Sequence, residues 1–185
     1  MPRRAARLAS ALSARLTSGA GPRNVAPLLR CASFSRCGRY RYSLTRRWSE
    51  AGGTVAFVLL NPSTANARRD DPTIRRCMGM ARSWGYGGIE VVNLYAWRAT
   101  RPRDLRRAAA PETAHNVRVV LRAARRADLV VVAWGNHGAW RAAGATMLGR
   151  LRRARLALAC PGWTRLGHPR HVLYLRRDVL PQSIP

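Results

Sequence analysis

The run Val55-Ala56-Phe57-Val58-Leu59-Leu60 leads directly into Asn61-Pro62-Ser63-Thr64, and this stretch decides the fold. An apolar run of that length without a polar interruption reads as a strand buried on both faces, as in a parallel sheet. Pro62 cannot continue a central strand, so the chain turns there. In open α/β sheets, ligands bind in the crevice beyond the carboxyl ends of the strands. An amide and two hydroxyls, from Asn61, Ser63 and Thr64, therefore emerge where such a fold keeps its site. The competing reading is a polar strand-to-helix turn that binds nothing.

Working outward, Tyr40, Tyr42 and Leu44 alternate with polar residues, the pattern of a half-buried edge strand ahead of the central run. Asp71-Pro72 reads as a helix start, with Asp71 as N-cap and Pro72 at the first helical position. That helix is expected to reach about residue 84 and to stop at Gly85-Tyr86-Gly87-Gly88. Residues 89–95 form a second strand, a short helix follows Pro102, and a longer helix covers 112–126. Residues 129–134 and 156–160 supply two more strands, separated by an amphipathic helix marked by Trp140, Met147, Leu148 and Leu151. Strands alternating with helices at this spacing predict β-α-β units: a three-layer α/β/α sandwich with a mostly parallel four-stranded sheet and an added N-terminal edge strand.

A chain of 185 residues suffices for one domain with a substantial core. Residues 34–185 are read as that single α/β domain, and residues 1–33 as a basic, disordered extension or linker. The extension has no acidic residue, and Leu8, Leu12 and Leu16 share a helix face with Arg neighbours, so an organelle transit peptide competes with a bacterial upstream extension. The formal net charge of +26 points to a polyanion, nucleic acid first. Every basic residue is Arg, however, which fits a G+C-rich coding sequence as well as phosphate binding. Cys31, Cys37, Cys77 and Cys160 show no Cys-x-x-Cys spacing, so neither a zinc ribbon nor a disulfide scaffold is expected. No apolar run approaches the ~20 residues that span a bilayer. A monomeric bacterial cytoplasmic protein with no membrane partner is the expectation.

If the strands are parallel, their carboxyl ends share one edge of the sheet. Ser63 and Thr64 then lie beside Asn61, and Asn93 ends the second strand. Asn136 and His137 follow the third, and Gly167-His168-Pro169-Arg170-His171 follows the fourth. An Asn amide both donates and accepts, which suits the edge of an amide-like ring such as a nucleobase. Ser63, Thr64, Asn93, Asn136, His137 and His171 are the candidate substrate-binding residues, and Arg170 the candidate nucleic-acid contact. Asp70-Asp71 offers paired carboxylates for Mg²⁺, but Asp71 already serves as a cap, and His168 with His171 lacks zinc-ligand spacing. No metal and no cofactor is assigned. No Gly-x-Gly-x-x-Gly and no P-loop is present, against the usual dinucleotide and NTP modes.

Several ordered segments carry a resemblance. They include Cys37-Gly38-Arg39-Tyr40-Arg41-Tyr42, Leu60-Asn61-Pro62-Ser63-Thr64-Ala65, Asp70-Asp71-Pro72-Thr73-Ile74-Arg75-Arg76-Cys77, Val92-Asn93-Leu94-Tyr95-Ala96, Ala133-Trp134-Gly135-Asn136-His137-Gly138 and Gly167-His168-Pro169-Arg170-His171. Through them, residues 37–176 resemble a bacterial family catalogued as domain of unknown function 1643, which brings no activity with it. A fainter likeness is to the uracil-DNA glycosylase superfamily, a four-stranded parallel α/β/α sandwich. Asn61-Pro62 is similar to its first motif, Asn93 to its base-reading Asn, Val132-Ala133-Trp134-Gly135 to its third strand end and His168-Pro169 to its last motif. That likeness implies a nucleobase- or nucleotide-acting enzyme, with a DNA glycosylase as its concrete form. Asn61 would position water, Asn93 would read a flipped base, and His168 would stabilise the leaving base. Asn61 and His168 are thus the implied catalytic pair. The sequence departs from that superfamily in lacking a Phe close after the first motif and in carrying Arg170-His171 where Ser-Pro is usual. The alternatives are a hydrolase or transferase of a small nucleotide or nucleoside, and a non-catalytic nucleic-acid-binding module.

Overall fold

The computed structural model describes residues 29–111 and 113–184. Most of the expected N-terminal extension lies outside the described residues. The described chain begins in a strand, β1 (Leu29–Phe34), so the sheet starts before the boundary expected at residue 34. Strand β2 (Arg41–Arg47) pairs antiparallel with β1 on one side and with β4 (Gly88–Asn93) on the other. The alternating segment is therefore an interior strand, and the edge position belongs to β1.

The central apolar run forms β3 (Thr54–Leu59), flanked in parallel by β4 and by β5 (Leu129–Val132). Strand β6 (Leu158–Cys160) continues the parallel set beside β5, and β7 (Gln182–Ser183) closes the far edge antiparallel. The seven strands run in the order β1-β2-β4-β3-β5-β6-β7. This corrects the expectation of a mostly parallel four-stranded sheet with one added strand: the sheet is mixed, and the β1–β2, β2–β4 and β6–β7 pairings are antiparallel. The added strands were hidden because β1 follows the basic segment with little alternation and β7 is only two residues long.

Helices cover both faces. Helix α1 (Pro72–Ser83) is capped by Asp71, whose carboxylate accepts the Ile74 N–H at 2.9 Å, and Pro72 occupies its first turn. Its buried stripe of Ile74, Cys77, Met80 and Ala81 packs on Val55, Phe57, Val91 and Val131. On the opposite face, α2 (Pro102–Arg107), α3 (Ala114–Arg126) and α4 (Ala143–Arg153) bring Leu105, Val120, Met147 and Leu151 onto Ala56, Val58, Val92 and Val132. Strands enclosed this way need apolar residues on both faces, which explains the unbroken runs.

A bulge sets the site. Phe34 faces Arg41 whereas Ser33 faces Ser43, so β2 carries an extra residue there. The bulge turns Arg41 onto the same side of the sheet as Leu44 and Arg46, under α1. Arg46 is fully buried and satisfied: it donates to Asp70 at 2.8 Å and to the Thr45 carbonyl at 2.8 Å. Asp70 also accepts from Arg30 at 3.0 Å, so these two guanidinium groups hold the loop before α1 against the sheet. The carboxylate considered for Mg²⁺ is occupied in this way.

Candidate functional site

The carboxyl ends of β3 and β4 lie side by side, with Leu59 opposite Asn93. Because Val91 and Ile89 face α1, Asn93 faces it too. Its side chain is fully buried, and among the described residues neither its Nδ2 nor its Oδ1 has a partner. The backbone around it is fixed from the opposite face, where Asn116 on α3 donates to the carbonyls of Asn93 at 2.9 Å and Leu94 at 3.0 Å. Sequence reasoning missed Asn116, which sits in a helical stretch with no motif.

Asn61 has a structural job beside the one expected. Its Nδ2 donates to the Ala99 carbonyl at 2.6 Å and to the Pro62 carbonyl at 3.0 Å, clamping the segment after β4 to the turn after β3. Only Oδ1 remains for a water or a ligand. Ser63 and Thr64 line an open cleft of about 620 Å³ beside that clamp, shared with Cys37, Arg39, Arg98 and Asp104. Arg98 spans it, donating to the carbonyls of Gly38 at 3.1 Å and Ser63 at 3.4 Å while stacking over Phe34.

Under α1, Arg41 is almost wholly buried and donates from Nη1 to the Ala65 carbonyl at 3.0 Å, while its Nε has no partner among the described residues. Burial pulls its pKa down to about 10, partly offset by the Asp71 carboxylate, so it remains a cation at neutral pH. The same carboxylate acts on His171. Burial lowers the His171 pKa, Asp71 opposes that, and the neighbouring His137 adds to it. Nδ1 of His171 accepts the Leu173 N–H at 3.3 Å, which places the ring proton of the neutral form on Nε2. Burial also pushes the Cys77 thiol up, so it is an inert core group.

The third strand end serves packing. Gly135, at φ 69°, donates its N–H to the Pro169 carbonyl at 2.8 Å, docking the segment that carries His168 and His171. A Cβ on Gly144 would come within 2.7 Å of Trp134 Nε1, and one on Gly138 would overlap the same ring. Asn136 and His137 project from the 3₁₀ segment Asn136–Ala142 and are exposed. His137 lines a separate cleft of about 470 Å³ with Arg101, Arg103 and Arg106. His168 and the exposed Arg170 sit on a hairpin held by the Trp163–Pro169 bridge and by the Thr164 N–H donating to the His168 carbonyl at 2.8 Å. No hydrogen bond or ring contact among the described residues joins the His168 side chain to Asn61 or Asn93. The structure thus groups Ser63 with Thr64, and Asp71 with Arg41, His171 and His137. Of the residues not expected, Arg41 and Asp71 lay inside quoted motifs, whereas nothing distinguished Arg98 from the other arginines.

A family model for a protein of unknown function, domain of unknown function 1643, matches residues 41–173. The chain belongs to this family. Its matched region runs from the buried Arg41 to Leu173, the partner of His171, and so takes in the whole α1-side constellation. Neither the curated proteins nor the solved structures compared with the chain give a match. Among the described residues no helix is long and apolar enough to cross a membrane, and no group of three or more His, Cys, Asp or Glu side chains is placed to hold a metal ion.

Proposed function

We propose that the chain acts on a nucleobase or nucleotide at the carboxyl edge of β3 and β4, with hydrolysis of an N-glycosidic bond as the most concrete form of that activity. The observation that carries the reading is the Asn93 amide, fully buried with donor and acceptor both unpartnered among the described residues. A buried polar group left unsatisfied costs about 1–3 kcal/mol, so a ligand or water that completes the Asn93 amide would be favoured there. A donor and an acceptor on one planar group match the donor–acceptor edge of a base. A uracil-DNA-glycosylase-like α/β/α domain is the architecture that the sequence resemblance implies for this chemistry.

The residues divide the work. Asn93 reads the base edge, and Asn61 Oδ1 orients water without acting as a base, since an amide does not take up the proton. Neutral His171, with its proton on Nε2, donates to the base as negative charge develops there on bond cleavage. This moves the electrostatic role from His168 to His171, the half-buried histidine whose charge Asp71 favours. Arg41, held charged under α1, adds positive potential to the same region.

A uracil-containing or mismatched oligonucleotide incubated with the protein should accumulate abasic sites, read as alkali-labile breaks. Asn61→Ala and His171→Gln should each slow this by about tenfold or more, in line with loss of a positioning or charge-stabilising group. Unchanged rates in both variants would overturn the assignment of the site. Turnover of free nucleosides with no action on oligonucleotides would favour the small-nucleoside hydrolase instead.

A further inference from the structure

We propose that the open cleft between the β1–β2 turn and the Ser63-Thr64 turn is a phosphate subsite, in which Arg39, Arg98 and the hydroxyls of Ser63 and Thr64 take the anionic end of a nucleotide or of an oligonucleotide backbone. The inference rests on the nucleobase reading and adds where the phosphate goes. The cleft holds two guanidinium groups, and its single carboxylate, Asp104, stands only loosely opposite Arg103 at 3.9 Å. Arg98 is fixed in place by the Gly38 and Ser63 carbonyls and by Phe34, with Nη2 left without a partner among the described residues. Arg39 lies with its guanidinium 5.8 Å from the centre of the Trp97 ring on the cleft wall. A preorganised planar cation loses little entropy when it meets a phosphate, which is why Arg serves this role well.

Two electrostatic features beside this geometry favour an anion here. Arg98 and the buried Arg41 repel one another through the turn that follows β3, and among the described residues Arg98 bonds to carbonyls and pairs with no carboxylate. On the other wall, the exposed Cys37 thiol has its pKa lowered to about 7 by the Ser35 hydroxyl, the Arg39 N–H and the Arg39 guanidinium. The same donors that favour a thiolate favour a phosphate oxygen. A bound anion would in turn disfavour the thiolate, so occupancy of the cleft should slow alkylation of Cys37.

The turn Asn61-Pro62-Ser63-Thr64 links this cleft to the Asn93 region, since Asn61 clamps Ala99 on the cleft wall. In this proposal one ligand presents its phosphate to Arg39 and Arg98 and its base toward the β3–β4 edge, where the buried Asn93 has to be uncovered to meet it. Calorimetric titrations with uridine, uridine 5′-monophosphate, inorganic pyrophosphate and a short oligonucleotide test this. The monophosphate or the oligonucleotide should bind about tenfold tighter than the nucleoside, as expected for charge-assisted contacts to a phosphate, and whichever ligand does so identifies the source of the phosphate. Arg39→Gln and Arg98→Gln should shrink that ratio, and Asp104→Asn should enlarge it. Arg39 is exposed, so its variant keeps the test decisive even where Arg98→Gln fails to fold. Site-resolved iodoacetamide labelling should show Cys37 protected by pyrophosphate. Equal affinity for nucleoside and nucleotide, or a ratio unmoved by Arg39→Gln, would overturn the subsite while leaving the nucleobase reading intact. Pyrophosphate binding that Arg39→Gln abolishes, with no nucleoside binding, would support the subsite and overturn the nucleobase reading.

Discussion

Asp71 performs three tasks with one carboxylate. It caps α1 through the Ile74 N–H, it holds Arg41 charged against burial, and it opposes the loss of the His171 proton. The sequence exposed only the first, because a cap is a local pattern while the other two depend on a strand and a loop far away in the chain. His171 carries a testable consequence. Its folded pKa lies below the unfolded value, so above that value both states are neutral and stability is unaffected. As pH falls through about 6.5 the unfolded chain takes up the proton first, and the folded state loses stability until its own pKa is passed. Denaturant midpoints measured from pH 8 to pH 5 should therefore fall more steeply for the wild type than for His171→Asn, which keeps an acceptor for the Leu173 N–H. Parallel curves would show that His171 does not titrate as described.

At the scale of elements, the long apolar strands were legible because burial on both faces leaves an uninterrupted signature, and α1 because Asp71-Pro72 is a start signal with a mechanism. The β2 bulge was not legible: it depends on an extra residue opposite β1, and no local pattern marks it. That bulge decides which side of the sheet Arg41 joins, so the charged half of the site was hidden with it. The segment Ala133-Trp134-Gly135-Asn136-His137-Gly138 was read as chemistry, but its glycines serve the Trp134 ring and the docking of the Pro169 loop. Gly138→Ala should cost about 1–3 kcal/mol in urea denaturation, as overpacking does. Gly149→Ala, in the same region of the chain but with only an Arg153 side-chain atom at 3.8 Å, should be neutral or stabilising by up to about 1 kcal/mol from helix propensity. Similar losses in both would mean that the Trp134 ring has room to move.

For the whole molecule, a net charge of +26 sets a field that favours any polyanion, independent of the site. Affinity for a duplex should therefore fall steeply with salt, with a log–log slope of about 0.9 per phosphate neutralised; a nearly flat salt dependence would remove nucleic acid as a partner. Binding through this field and the proposed recognition at the site are separable, since only the proposed recognition uses Asn93. Replacing Asn93 by Leu removes an unsatisfied buried amide, so the variant should be at least as stable as the wild type. The decisive measurement is the calorimetric affinity of wild type and a folded Asn93→Leu variant for a nucleotide such as uridine 5′-monophosphate. The account predicts a loss of about tenfold or more, the equivalent of at least 1.4 kcal/mol, with stability preserved; equal affinity in the two proteins would contradict it.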